Sequence, residues 1–106
     1  MLTVYLLNSA VLTDFGEYEY REIGVQEARE ILKNGFISAI GHKGIAEFLT
    51  RILQLPVEYN RIEVKMQPGD VAVVYKIAGR LPPQQELKVE DLEKIPYVLG
   101  LLVRKR

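Results

Sequence analysis

The stretch FISAIGHKGIAEFLTRIL, residues 36–53, changes from a strand pattern to a helix pattern at Gly41. Residues 36–40 form a short apolar run, which is typical of a buried strand. From Ile45 onward, apolar residues recur at spacings of three and four, and this periodicity predicts an amphipathic helix that ends before Pro56. A buried strand followed directly by such a helix is a unit of α/β folds.

The same alternation of patterns extends along most of the chain. Strand patterns lie at residues 2–7, 18–22, 36–40, 61–66, 71–78 and 97–103. Helical spacing marks residues 25–32, the segment after Gly41 and residues 88–95, whereas 79–86 has the composition of a loop. Residues 67–70, Gln-Pro-Gly-Asp, predict a turn and therefore an antiparallel hairpin between 61–66 and 71–78. We predict an α/β fold in a single domain, 1–106: a single mixed β-sheet of about five strands, with helices packed on its faces and one antiparallel hairpin.

The composition is that of an ordinary globular protein. Of 106 residues, 48% are hydrophobic, and 14 basic side chains balance 14 acidic ones. Proteins that coat duplex DNA or long RNA normally have a large positive excess, so we expect no long nucleic acid as partner. The chain has no cysteine, which excludes disulfides and thiolate chemistry. Because its apolar runs are shorter than a membrane span and the start lacks a signal-like segment, we expect a cytoplasmic protein without membrane contact.

His42 is the single histidine of the chain, and it lies where the second predicted helix begins. Imidazole titrates near neutral pH, so His42 is the natural proton donor or acceptor. The unpaired N–H groups of a helix N-terminus favour anions, above all phosphate. No acidic cluster has metal-ligand spacing, so we expect no metal and no cofactor. This pattern predicts metal-free phosphodiester chemistry, although a lone histidine at a helix start is also typical of a cap or a surface residue.

Polar and cationic residues also adjoin other predicted strands, at the places where ligands usually bind in α/β sheets. The further candidates for ligand binding are Asn8, Ser9, Gly41, Arg61, Lys76 and Arg80. Each has a structural alternative: Asn8 and Ser9 suit a turn, the two arginines suit surface ion pairs, and Lys76 suits the solvent face of a strand.

Three tyrosines have the chemistry to stack on nucleobases: Tyr18, Tyr20 and Tyr59. Tyr18 and Tyr20 alternate with polar neighbours, however, and this alternation favours a half-buried edge strand for both.

Four blocks of the chain, in order, resemble one known family: Tyr5-Leu6-Leu7-Asn8, Ile37-Ser38-Ala39-Ile40-Gly41-His42, Asn60-Arg61-Ile62-Glu63-Val64-Lys65-Met66 and Gly79-Arg80-Leu81-Pro82. They are similar to blocks of the viral and prokaryotic ring nucleases, which are known from archaeal viruses as type III anti-CRISPR proteins and also occur in bacteria and their mobile elements. The resemblance covers nearly the whole chain, and the Ile-Gly-His and Asn-Arg-hydrophobic-Glu blocks are its specific parts.

The resemblance implies a homodimer that binds cyclic tetra-adenylate, the second messenger of type III CRISPR complexes. The family cleaves this ring without metal into linear di-adenylates, in the cytoplasm (the host cytoplasm for a viral protein), and so switches off messenger-activated nucleases. A two-fold dimer suits a ring of four identical nucleotides, because each subunit presents the same patch to one half of the ring.

The resemblance also implies roles for single residues. His42 matches the family's catalytic histidine, a general acid that protonates the leaving 5′-oxygen. Arg61 and Arg80 match basic positions that neutralise phosphate charge. Asn8 would hold backbone or base, and Lys76 aligns with a polar ligand contact.

One departure from the family pattern leaves alternatives open. Relatives commonly have an acidic residue and then a glycine after the Arg-Leu pair, whereas here Arg80-Leu81 is followed by Pro82-Pro83-Gln84-Gln85. Either Glu86 replaces the acidic group or turnover is slower. The alternative function is a non-catalytic protein that sequesters or senses a cyclic oligoadenylate, and a third is a general RNase.

Overall fold

A computed structural model describes residues 3–9, 14–78 and 89–106, which form one five-stranded β-sheet and three helices. The strands are β1 Val4–Leu7, β2 Tyr18–Ile23, β3 Ile37–Ala39, β4 Val71–Ile77 and β5 Tyr97–Arg104. The helices are α1 Val25–Leu32, α2 Lys43–Leu53 and α3 Val89–Leu92. The predicted α/β architecture with one mixed sheet is confirmed, while the predicted loop over 79–86 lies outside the described residues.

The sheet has the strand order β2-β5-β4-β1-β3. β1 runs parallel to β3 on one side and to β4 on the other, so that Leu7 lies opposite both Ala39 and Val74. β5 runs antiparallel to β4 and to β2. The carboxyl ends of β3, β1 and β4 therefore meet at the same edge of the sheet, which we call the carboxyl edge.

The predicted strand over 61–66, and with it the predicted hairpin with 71–78, is wrong. A strand has two edges, and both edges of β4 are occupied: Val71 pairs with Val4 of β1 and with Val103 of β5. Neither edge of β4 is therefore free to pair with residues 61–66, which form irregular backbone. The predicted turn at 67–70 exists, since the Asp70 amide donates to the Gln67 carbonyl at 2.9 Å.

All three described helices contribute to one hydrophobic core on the same face of the sheet, which we call the helix face. The fully buried residues of this core include Leu6, Leu32, Leu49, Leu53, Val73 and Leu92. Complete burial of one such side chain contributes about 1.5–3 kcal/mol. This packing fixes α2 against the sheet, and with it the start of α2 at the carboxyl edge. None of the described helices is both long and apolar enough to cross a bilayer.

The ends of α1 and α2 lie where the sequence predicts them. After α1, Gly35 takes φ +117°, a conformation that glycine adopts without the penalty of a Cβ. After α2, Gln54 takes the left-handed conformation at φ 55°, and Pro56 follows two residues later.

The opposite face of the sheet, which we call the open face, has a second and smaller apolar cluster with no residue from the described helices. Its members are Leu7, Ala39, Val64, Met66, Ala72, Val74 and Leu102. Val64 and Met66 come from the irregular segment that the sequence presents as a strand. These two residues alternate with polar ones because their side chains pack on the face of the sheet, not because the segment pairs as a strand. Tyr20 on β2, 47% exposed, extends this face toward solvent.

Candidate functional site

The carboxyl edge gathers most of the predicted site residues because three parallel strands end there. Asn8 and Ser9 follow β1, Gly41 and His42 follow β3, and Lys76 lies near the end of β4. Ligands in open α/β sheets bind outside the carboxyl ends of the strands, where the chain leaves the sheet. Arg80, which the sequence places three residues beyond β4, lies outside the described residues.

His42 is the N-cap of α2. Its backbone is extended (φ −141°, ψ 121°), and its Nδ1 accepts a hydrogen bond from the Ile45 amide at 3.4 Å. Its carbonyl accepts from the Ala46 amide at 3.0 Å, the first bond of the helix. With Nδ1 as acceptor, the neutral ring has its hydrogen on Nε2, the nitrogen remote from the capped backbone. The cap that the sequence offered as an alternative is thus present, and it leaves Nε2–H available as a donor.

Residues 58–60 are tied to the end of β3 by three hydrogen bonds, and they include a bridge partner of Ile40. The Ser38 hydroxyl donates to the Glu58 carbonyl at 2.7 Å, and the Asn60 side-chain amide donates to the Ser38 carbonyl at 2.7 Å. The Asn60 backbone amide donates to the Ile40 carbonyl at 2.9 Å, and Ile40 forms a parallel bridge with Tyr59. These contacts fix the residue that follows, Arg61, beside the end of β3.

Arg61 lies directly over Gly41, the residue before His42. A methyl group added at Gly41 would lie 3.3 Å from Arg61 Cγ, closer than an ordinary van der Waals contact. The absence of a side chain at Gly41 therefore allows the arginine to approach the backbone just before the helix start. Asn60 takes part in this arrangement as a positioning residue, a role that the site prediction did not assign.

Two cavities open at the carboxyl edge and share Asn8 and Ser9. The first, of about 370 Å³, is lined by Asn8, Ser9, Gly41, Arg61 and Glu63 together with Leu7, Ala39, Ile62 and Val64. The second, of about 310 Å³, is lined by Asn8, Ser9, Tyr20 and Lys76 together with Val74, Tyr75 and Ile77. The structure thus brings five of the seven predicted residues to these cavities. His42 lines neither cavity and stands next to Gly41 at the rim of the first.

A larger cavity, of about 650 Å³, lies elsewhere and contains none of the predicted site residues. It is bordered by the end of α1 at Lys33, by Phe36 and by the Val57 region after α2. Thr50 also lines this cavity. Its hydroxyl donates to the Ala46 carbonyl at 2.8 Å and accepts from the Val57 amide at 3.0 Å. Volume alone does not mark a site, and the predicted site residues line the two smaller cavities instead.

The cationic groups at the carboxyl edge have no acidic partner among residues 3–9, 14–78 and 89–106. Within the described residues, no hydrogen bond or ion pair engages the side chains of Asn8, Ser9, Arg61 and Lys76. Glu63 lines the same cavity as Arg61 without pairing with it. Lys43, one residue after His42, lies 5.6 Å from the centre of the Tyr59 ring, a cation–π distance. An anion at this edge would meet unpaired positive charge and free hydrogen-bond donors.

Tyr75 of β4 is buried on the helix face behind this edge. Its ring centre lies 6.0 Å from that of Phe48 and 5.6 Å from that of Tyr97, and its hydroxyl has no hydrogen-bond partner. Burial, with a smaller contribution from Tyr97, raises the pKa of Tyr75 to about 12. The phenol is therefore neutral near pH 7.

Sequence comparisons place these residues in a family context. The family model for STIV B116-like proteins matches residues 4–99. Uncharacterized protein 26 of Sulfolobus islandicus filamentous virus (isolate Iceland/Hveragerdi) is 38% identical over 104 residues, which cover 92% of this chain and 88% of the viral protein. Uncharacterized protein YddF of Bacillus subtilis (strain 168) is 33% identical over 106 residues, covering 97% of this chain and 98% of YddF.

The structural comparison agrees in fold. The solved structure of B116 of Sulfolobus turreted icosahedral virus (STIV) matches with a TM-score of 0.74 over 96% of this chain and 99% of B116, at 21% sequence identity. The two proteins share the arrangement of sheet and helices along nearly their whole lengths.

Proposed function

We propose that this chain, which belongs to the STIV B116-like family, is a metal-independent ring nuclease that binds cyclic tetra-adenylate and cleaves it to linear di-adenylates. The observation that carries the proposal is the carboxyl edge, where a histidine-capped helix start adjoins a cavity lined by an unpaired arginine. The blocks that resemble ring nucleases supply the choice of substrate. Removal of this messenger switches off type III CRISPR signalling.

The binding roles follow from charge and position. Arg61 in the first cavity and Lys76 in the second are cations without acidic partners in the described chain, and each offers charge-assisted hydrogen bonds to a phosphate. Asn8 and Ser9 border both cavities, so their side chains can bridge two neighbouring nucleotides of the ring. Arg80, which lies outside the described residues, retains its proposed role as a second phosphate-binding arginine.

The proposal includes a homodimer, because one protomer offers too little space for the ring. Cavities of about 370 and 310 Å³ lie at the lower end of the range for drug-sized ligands, roughly 300–1,000 Å³. A ring of four nucleotides needs more. Two copies related by a two-fold axis would present the same pair of cavities to opposite halves of the ring.

The reaction is an internal transfer at phosphorus. The ribose 2′-oxygen forms a bond to the adjacent phosphorus and releases its proton to water, while the bond from phosphorus to the 5′-oxygen breaks. The leaving 5′-oxygen takes a proton from Nε2 of His42, which acts in its imidazolium form, and the neutral imidazole that remains later takes up a proton from water. Each cut gives a 2′,3′-cyclic phosphate and a 5′-hydroxyl, so two cuts at opposite positions give two linear di-adenylates.

Most of the rate would come from alignment and charge. Holding the 2′-oxygen in line with the leaving oxygen is worth on the order of 7–11 kcal/mol in well-oriented systems. Proton donation by His42 adds typically about 10²–10⁴-fold. The capping bond at Nδ1 belongs to the neutral ring, so the imidazolium must give up this bond before it donates from Nε2. Arg61 would stabilise the charge that grows on the phosphate oxygens toward the transition state.

The direct test is incubation of the purified protein with labelled cyclic tetra-adenylate in the presence of EDTA. We expect linear di-adenylate as product, and no product from His42→Ala. An absence of cleavage by the wild type together with tight binding would favour the second candidate, a protein that only sequesters or senses the ring. Cleavage of unstructured linear RNA at a comparable rate would instead favour a general RNase.

A further inference from the structure

The ring of Tyr20 does not lie over the residue with which Tyr20 pairs in the sheet. Tyr20 pairs with Leu102 in the register of β2 and β5, but its ring lies over Gly100, two residues closer to the carboxyl edge. A methyl group added at Gly100 would lie 2.5 Å from Tyr20 Cε1 and 3.0 Å from Cζ. Only the bare backbone of Gly100 allows the ring to occupy this place.

The position of the ring brings it to the second cavity. Gly100 pairs with Val74 of β4, and Val74 lines this cavity together with Tyr20, Lys76 and Asn8. Tyr20 is still 47% exposed, although its outer atoms contact the sheet at Gly100. An exposed aromatic surface thus borders a cavity that also contains an unpaired ammonium group and a free amide.

This combination of groups suits a nucleotide. Aromatic side chains bind nucleobases by stacking, which depends on the π-face of the base rather than on its hydrogen-bond edge. A lysine at the same cavity provides a point charge for the phosphate of that nucleotide. Tyr18, two residues earlier on the same strand and face, offers neither feature: its ring is packed in the apolar cluster, and Arg104 lies 5.8 Å from its centre.

We infer that Tyr20, held on Gly100, is the stacking platform for one nucleobase of the bound ring, an adenine if the proposed function holds, on which this inference rests. Lys76 would bind the phosphate next to that base. In a two-fold dimer each protomer would supply one such platform, so that two opposite bases of the ring are stacked. The platform determines affinity and position of the ring; the proton transfer stays with His42.

The test measures binding of cyclic tetra-adenylate by titration calorimetry to His42→Asn protein, in which the ring stays intact. In this background we expect Tyr20→Leu to weaken binding by about 10-fold or more, and Tyr20→Phe to stay within about 3-fold because the stacking ring is retained. Gly100→Ala should also weaken binding, because the added methyl displaces the ring. A thermal melt of each variant verifies folding.

A second readout separates stacking from a purely structural role. On ligand addition, the ring-proton NMR signals of Tyr20, assigned by their loss in Tyr20→Leu, should move upfield through the ring current of the stacked base. Unchanged affinity in folded Tyr20→Leu, or unmoved Tyr20 signals, would overturn the platform and leave ring binding intact. Failure of the parent His42→Asn protein to bind the ring would overturn the proposed function, and the platform with it.

Discussion

Charged residues lie at both ends of the parallel strands, but only those at the amino ends are bonded within the protein, as far as the described residues show. At the amino end, the buried Asp70 carboxylate accepts from the Thr3 amide at 2.9 Å and from the Gln67 amide at 2.8 Å. Arg104 on the neighbouring β5 donates to the carbonyls of Met66 and Phe15. At the carboxyl end, Arg61 and Lys76 have no such partners among the described residues.

The difference separates charges that build the fold from charges that are free for a ligand. Asp70 and Arg104 satisfy backbone groups that would otherwise be left without hydrogen bonds at that end of the sheet. Within the described chain, Arg61 and Lys76 pair with no acidic group, so a bound anion does not have to displace such a partner. The comparison therefore predicts that substitutions at the amino end affect stability and that substitutions at the carboxyl end affect binding.

The largest effect on stability is expected for Asp70→Ala, which leaves two backbone amides without an acceptor. We expect the free energy of unfolding in urea to fall by about 3 kcal/mol. Asp70→Asn, which keeps an oxygen acceptor, should lose less. Ring affinity of the folded Asp70→Ala protein should match the wild type. A loss of stability below about 1 kcal/mol would remove the contrast between the two ends.

A smaller effect, on binding alone, is expected for Arg61→Gln. The glutamine keeps the methylene groups that contact Gly41 but loses the charge, so affinity for cyclic tetra-adenylate should fall about tenfold, while unfolding changes by less than about 0.5 kcal/mol. Arg51→Gln is the matched control, because Arg51 pairs with Glu93 at 2.9 Å on the surface of α2, and its loss should leave affinity unchanged. Equal affinities for the two variants would contradict the assignment.

The smallest effect at neutral pH is expected for Tyr75→Phe. Removal of a buried hydroxyl that has no partner should leave the free energy of unfolding unchanged or raise it by up to about 1 kcal/mol. Ring affinity and cleavage should not change. A clear loss of stability would show that the hydroxyl has a stabilising contact.

The same variant has a defined pH dependence. Burial raises the pKa of Tyr75 to about 12, above the ordinary value of about 10 for the unfolded chain. Between these values the folded state keeps the proton that the unfolded state has lost, so the wild type should lose stability as pH rises from 10 toward 12. Tyr75→Phe should lose less over this interval in urea titrations at each pH.

The elements that local sequence determines were predictable, and strand pairing was not. Helical spacing followed by a glycine predicted α1 correctly, and the apolar stripe before Pro56 predicted α2 correctly. The alternation of Ile62, Val64 and Met66 is the same in a strand as in a segment that inserts two apolar anchors into a sheet face. The pairing of β4 with both β1 and β5 excludes the hairpin, and those partners are distant in the sequence.

The site was predictable where the chain order of a parallel sheet fixes it. Asn8, Ser9, Gly41 and Lys76 follow or end parallel strands, so one edge collects them. Arg61 was predicted as a cation beside the strand 61–66, which the structure does not contain, and it reaches the site through the contacts of residues 58–60 with β3. Tyr20 comes from the antiparallel β2, two strands away from β4. Its place at the cavity depends on the contact with Gly100, a residue 80 positions later, and the sequence alone gives no signal that the two meet.

The most direct test of the account compares ring cleavage by the wild type and by His42→Asn, both in EDTA. Asparagine is a good N-cap, so the variant should keep the bond from the Ile45 amide and melt close to the wild type. Without a proton donor, its cleavage rate should fall by about 10²–10⁴-fold while ring affinity is retained. A His42→Asn protein that cleaves the ring at the wild-type rate would show that this imidazole is only a cap, and the proposed chemistry would be wrong.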